Sequence, residues 1–171
     1  MVTDEIRNQV MGSLLAYSFS AAFPSGYTGA KAVTIMHGWP SDLIDNMLAE
    51  TDGQMTRPVV SVNEVDVADT HRSLGNIATA GAPVGMVRRA TRIEATYLVG
   101  CWADQRLGGA DMAEAIGGLV IGWAFVSSES LAAYRHLRAS ASRPAYHVRE
   151  QLWCYDVTLT GTALLSYDST T

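Results

Sequence analysis

Residues 88–103 read RRATRIEATYLVGCWA and residues 109–125 read GADMAEAIGGLVIGWAF, and the fold class turns on how these two neighbouring stretches differ in period. In the first, Ile93, Ala95, Tyr97, Val99 and Cys101 fall on one side of a two-residue alternation, with Arg92, Glu94, Thr96 and Leu98 on the other. That pattern predicts a long strand with one apolar face. In the second, after Gly108-Gly109, the residues Met112, Ala115, Ile116, Leu119, Val120 and Trp123 recur at helical spacing, and Asp111 and Glu114 complement the positive end of the helix dipole. A helix this apolar must lie across a sheet.

Outward from this pair, residues 148–165 alternate again, Leu152 and Cys154 against Trp153, Tyr155, Val157 and Leu159, with a bulge or bend expected at Gly161. Toward the N-terminus, Ile6, Val10, Leu14, Tyr17 and Ala21 predict a helix over 3–22, capped by Thr3. Pro24, Ser25, Gly26 and Gly29 end it, residues 32–36 read as a short strand, and Ser41 caps a short helix over 41–50. Pro58 opens a second strand with Val60 and Val62 on one face and Val65 close to it. A polar, Gly-containing stretch without periodicity then predicts a long loop at about 66–87, a length that usually signals function. A further turn is expected from Ser127 to Ser130, closed off by Arg143-Pro144. The order of elements predicts an α+β fold: a single domain over 1–171 with one mixed, mainly antiparallel sheet and helices packed on one face. The other face is left for a neighbour.

Composition narrows the function. A chain of 171 residues is one domain by size. Charged residues make up 17% against roughly 25% in ordinary soluble domains, which suggests that part of the surface is covered in use. A net charge of -5 with Lys31 as the single lysine argues against a protein that grips nucleic-acid phosphates. No uninterrupted apolar run approaches a membrane span, and Asp4 and Glu5 stand where a secretory signal would carry base, so cytoplasmic synthesis is expected. Cys101 and Cys154 lie in strand-like segments without metal spacing and read as buried, reduced thiols.

The chemical motifs are weak. Residues 33–39, VTIMHGW, imitate the strand-to-His-Gly loop of a hydrolase oxyanion hole, but no Gly-x-Ser-x-Gly elbow accompanies His37. His37, His71, His136 and His147 lack metal-ligand spacing, and neither Gly108-Gly109 nor the 81–85 glycines form a phosphate loop. No catalytic residue, cofactor or metal is therefore expected. A small hydrolase using His37 is the alternative.

The succession of an Arg-rich strand over 88–102, an apolar helix over 110–125 and a Tyr-containing strand over 152–167 resembles the tail terminator proteins of tailed bacteriophages, as do the leading helix over 3–22, the strand over 32–36 and the Pro58-led strand. That resemblance implies a structural virion protein in a homo-oligomeric ring of six copies, which stops tail-tube polymerisation and joins the tail to the neck or head. Its implied partners are tail-tube protein, a neck or head-completion protein and, in contractile tails, the sheath; DNA would pass through the lumen without specific binding. Arg88, Arg89 and Arg92, with Asp66, Asp69, His71 and Arg72 of the long loop, are the candidate inter-subunit contacts. The inserted helix at 41–50 leaves another neck or tail-completion role open.

Overall fold

The computed structural model describes residues 2–17, 19, 33–38, 57–69, 77–79, 86–127 and 135–170. Its elements in chain order are α1 (Val2–Ala16), β1 (Thr34–His37), β2 (Val59–Asp69), β3 (Ile77–Thr79), β4 (Met86–Ala103), α2 (Gly109–Ser127), β5 (Arg135–Ala141), β6 (Ala145–His147) and β7 (Leu152–Thr170). The strands form one sheet in the order β1-β2-β4-β7-β5, with β3 beside β4 and β6 beside β7. β1 runs parallel to β2, and every other described pairing is antiparallel. The expected α+β fold, a mixed and mainly antiparallel sheet with helices on one face, is the fold observed.

The alternation of β4 decides which face is buried. Ile93, Ala95, Tyr97, Val99, Cys101 and Ala103 join Val60 and Val62 of β2 and Val157, Leu159 and Ala163 of β7 in one apolar cluster. Ile6, Val10 and Leu14 of α1 and Met112, Ala113, Ile116, Val120, Trp123 and Ala124 of α2 close it from above. Leu14 ends the buried row of α1, and the Trp123 indole N–H donates to Ser13 Oγ at 2.9 Å, tying the two helices. By length and composition alone α2 could cross a membrane, a property it shares with core helices; here its inner row is buried against the sheet.

The connection from β4 into α2 needs its glycines. Asp104 accepts a hydrogen bond from the Leu107 N–H at 2.9 Å and starts a short 3-10 turn, Gln105–Leu107. Gly108 and Gly109 then take positive φ values of 108° and 54°, which side chains other than glycine rarely adopt.

The structure departs from the sequence expectations at four places. Within the long loop expected at about 66–87 the described residues are strand: 66–69 belong to β2, 77–79 form β3 and 86–87 begin β4, while 70–76 and 80–85 lie outside the described residues. The cause is a bulge at Val65, where the register jumps from Glu64 opposite Tyr97 to Asp66 opposite Thr96. The extra residue shifts the phase of the alternation and hides the strand's continuation, and Val65 itself stands exposed rather than with Val62. Gly161 sits in register opposite Ala95 in the β4–β7 ladder, and the irregularity expected there lies on its other side, where the β5–β7 register shifts between Thr160 opposite Arg138 and Thr162 opposite Arg135. A strand not anticipated, β5, occupies Arg135–Ala141 at the sheet's edge; in its run RHLRASA Leu137 and Ala139 pack on the core while Arg138 and Ser140 are exposed, an alternation only a few residues long that follows a register shift between Arg135 and Arg138. The helix expected over 3–22 ends at Ala16, since Tyr17 is a bend and Phe19 is not helical, and the expected helix over 41–50 and turn over 127–130 lie outside the described residues beyond Ser127.

Candidate docking surfaces

The longest feature is the β4–β7 ladder, which runs from Met86 opposite Thr170 to Ala103 opposite Trp153 without a register shift. At about 3.4 Å per residue an 18-residue strand spans about 60 Å, twice the reach of α2, whose 19 residues extend about 28 Å. The arginines expected at contacts lie in the outer part of this ladder. Arg88 is registered opposite Asp168 of β7 and Thr79 of β3, Arg89 opposite Tyr167 and Ala78, and Arg92 opposite Leu164. Asp66 and Asp69 continue β2 opposite Thr96 and Ile93. His71 and Arg72 lie outside the described residues. The structure thus brings Asp69 and Arg92 into one stretch of sheet and carries Arg88 and Arg89 farther along it.

The sheet face away from the helices divides in two. One half is sealed by Val59, Trp102, Leu152 and Cys154, with Met36 and Leu107 against them. The His147 ring lies over the Trp102 indole, centroids 4.8 Å apart. The other half is polar and open: Asn63, Thr96, Thr158, Thr160 and Thr162 are half-buried, and Glu94, Arg138 and Ser140 are exposed. Hydroxyls of this kind are content in water, so only part of the face expected for a neighbour has the character of a covered surface.

A third surface is built by β6 and β7. Ala145, Tyr146 and His147 pair with Cys154, Trp153 and Leu152, which leaves residues 148–151 as a hairpin tip. The tip contains no Gly, Pro, Asn, Asp or Ser, the usual turn formers, and Gln151 takes a φ of 54°. Tyr146 stacks on Trp153 with centroids 5.3 Å apart, and the Trp153 indole N–H donates to Gln105 Oε1 at 3.2 Å. Val148 is 78% exposed, and Arg149 is exposed next to it. Glu150 turns back toward His147 Nδ1 at 4.0 Å and keeps only 9% of its side chain exposed. The last strand, expected over 148–165, begins instead at Leu152, and the run Val-Arg-Glu-Gln at the tip holds nothing that announces a turn.

The remaining chemistry is structural. His37 Nε2 faces Arg7 Nη1 at 3.4 Å, so a guanidinium donor points at the lone pair a general base would use. Cys101 and Cys154 are buried and unbridged, as expected. Burial, reinforced by the Asp156 carboxylate, pushes both thiols far up. Cys154 Sγ donates to Asp156 Oδ1 at 3.2 Å. Among the described residues no group of three His, Cys, Asp or Glu side chains is placed to hold a metal ion.

The sequence matches no protein-family model and no curated protein. Its fold is shared by the sheath/tube terminator of PVC, an extracellular contractile injection system, seen by cryo-EM in the extended state. The two superpose with a TM-score of 0.52 at 14% sequence identity, over 96% of this chain. The matched region is 56% of the terminator's length, so this chain spans little more than half of it. The helix-covered sheet built here on the Arg88–Trp102 strand is thus the fold of a sheath/tube terminator.

Proposed function

We propose that this chain is a structural tail-terminator subunit, one domain over 1–171, that assembles as a ring on the last ring of a tail tube and ends its polymerisation. The observation that supports the reading is the terminator fold over nearly the whole chain, joined to side chains that act through shape and packing. In this reading six copies close the ring in the virion of a tailed phage, tube protein binds below and a neck or head-completion protein above, with sheath at the rim of a contractile tail. A ring of identical copies needs two different patches on each subunit, which the open sheet surface and the exposed ends of the helix layer supply. The Arg88, Arg89 and Arg92 stretch of β4, beside Asp66 and Asp69, serves as a contact with a neighbouring copy or with the tube. No catalytic step is assigned, and the Arg7 contact at His37 speaks against the hydrolase alternative.

The test is to add the purified chain to polymerising tube protein from the same tail and to measure tube lengths by negative-stain microscopy. A terminator shortens tubes at substoichiometric amounts and appears as a cap at one end. Tubes of unchanged length with bare ends would overturn the reading, and binding only to finished tubes would reassign the chain to tail completion.

A further inference from the structure

We infer that the β6–β7 hairpin tip of one copy docks on the outer face of α2 of a second copy. The inference deepens the ring reading and rests on it. The tip projects Val148 and Arg149 into solvent beside the half-exposed Tyr146, while Glu150, the acid of the tip, is turned inward to His147. The outward character of the tip is therefore apolar and positive, on a chain whose net charge is -5. Exposed Tyr and Arg around a half-buried Trp are the residues that interfaces favour, and the tilted Tyr146–Trp153 ring contact keeps the ordering cost of docking low.

The complementary surface is on the same chain. Asp111 and Glu114 are exposed on the first half of α2, and Ala115 and Gly118 continue the same outer row. A Cβ placed on Gly118 would meet nothing within 4 Å, so this stretch is an open, small-residue helix surface with acid beside it. An apolar knob with an adjacent arginine fits a strip of small residues with adjacent carboxylates in both shape and charge. Arg149, Asp111 and Glu114 all remain exposed within one copy, so the two halves do not satisfy each other there. The tip continues the ends of β6 and β7 whereas the strip lies on the outside of the helix layer. Two patches that face different directions are what a heterologous contact between copies requires.

The test uses the full chain alone, without tube protein, and reads self-association by sedimentation velocity and light scattering over a concentration series. Arg149→Glu and Glu114→Arg should each weaken association about tenfold or more, and the double variant should recover most of the loss, because it restores opposite charges across the contact. Val148→Asp should weaken association without recovery by Glu114→Ala. All of these positions are exposed, and unchanged circular dichroism and melting curves confirm an intact fold. Wild-type assembly that the charge reversals leave untouched would overturn the docking mode while the ring reading stands. A wild-type chain that stays monomeric throughout would also overturn the docking mode, and the ring reading then stands or falls with the tube-length measurement.

Discussion

The indole N–H of Trp102 donates to the hydroxyl of Ser61 at 2.8 Å across the β2–β4 ladder, and both residues are buried on the face away from the helices. Ser61 in turn donates to the Gly100 carbonyl oxygen at 3.5 Å. Ser61→Ala leaves a buried N–H unmatched and is expected to cost about 1–3 kcal/mol. Gly100→Ala attacks the same bond from the other side, since its Cβ would sit 2.5 Å from Trp102 Nε1 and 2.8 Å from Ser61 Oγ. The two substitutions share one interaction, so the double variant should cost less than their sum. Urea unfolding of the four proteins measures this, and strict additivity would show that the bond does not hold the pair together.

Adjacent glycines of α2 should respond with opposite sign. A Cβ at Gly117 would fall into the Tyr155 ring, which lets the helix lie directly on β7. At Gly118 the same atom meets open space. Ala is worth about 1 kcal/mol over Gly in a helix interior, so Gly118→Ala should stabilise the monomer by about that amount. At Gly117 the propensity gain is outweighed by overpacking against a half-buried aromatic, typically about 1–3 kcal/mol, and Gly117→Ala should destabilise. Thermal melts at a concentration too low for association separate the two.

The same residues show what the sequence could and could not disclose. The inward row of β4 and the helical row of α2 were legible because each keeps one period over many residues, and the sheet with its helix-covered face follows from them. The continuation of β2 was not legible, because Val65 is an inserted residue and the row Val60, Val62 resumes out of phase at Val67, which is registered opposite the core residue Ala95. β5 was not legible because its alternation, Leu137 and Ala139 inward against Arg138 and Ser140, is only a few residues long and follows a register shift. Of the candidate contacts, Arg88, Arg89 and Arg92 are visible in the sequence as a charged run, but only the register shows Asp69 opposite Ile93, one residue along β4 from Arg92. The hairpin tip escaped because its turn rests on Gln151 at positive φ rather than on a residue that announces one.

α1 is held mainly by burial, and magnitudes decide this against its one side-chain bond to α2. Ser13→Ala removes the acceptor of the Trp123 N–H, a loss of about 1 kcal/mol, and regains about half of that in helix propensity. Leu14→Ala instead opens space at a fully buried position, for which about 2–5 kcal/mol is typical. Hydrogen exchange of the α1 amides should therefore change little in the first variant and accelerate strongly in the second. Equal acceleration would mean that the Ser13–Trp123 bond governs the docking of the helix.

The buried thiols set an upper pH limit on stability. Burial and then the Asp156 carboxylate raise the titration of Cys101, and the same two causes with the Asp156 hydrogen bond raise that of Cys154, from an ordinary 9.0 to well beyond the alkaline range. The folded state therefore holds both thiols protonated, while the unfolded chain releases these protons as pH passes 9.0. A group raised in the folded state contributes stability that is complete below its unfolded titration point and is lost as pH climbs above it. Each thiol should steepen the loss by about 1.4 kcal/mol per pH unit there. Urea midpoints between pH 8 and 10 should fall more steeply for the wild type than for Cys154→Ala, whatever the offset that the substitution itself causes. Parallel slopes would show that Cys154 ionises as readily in the folded protein as in the unfolded chain, and would place its sulfur within reach of solvent.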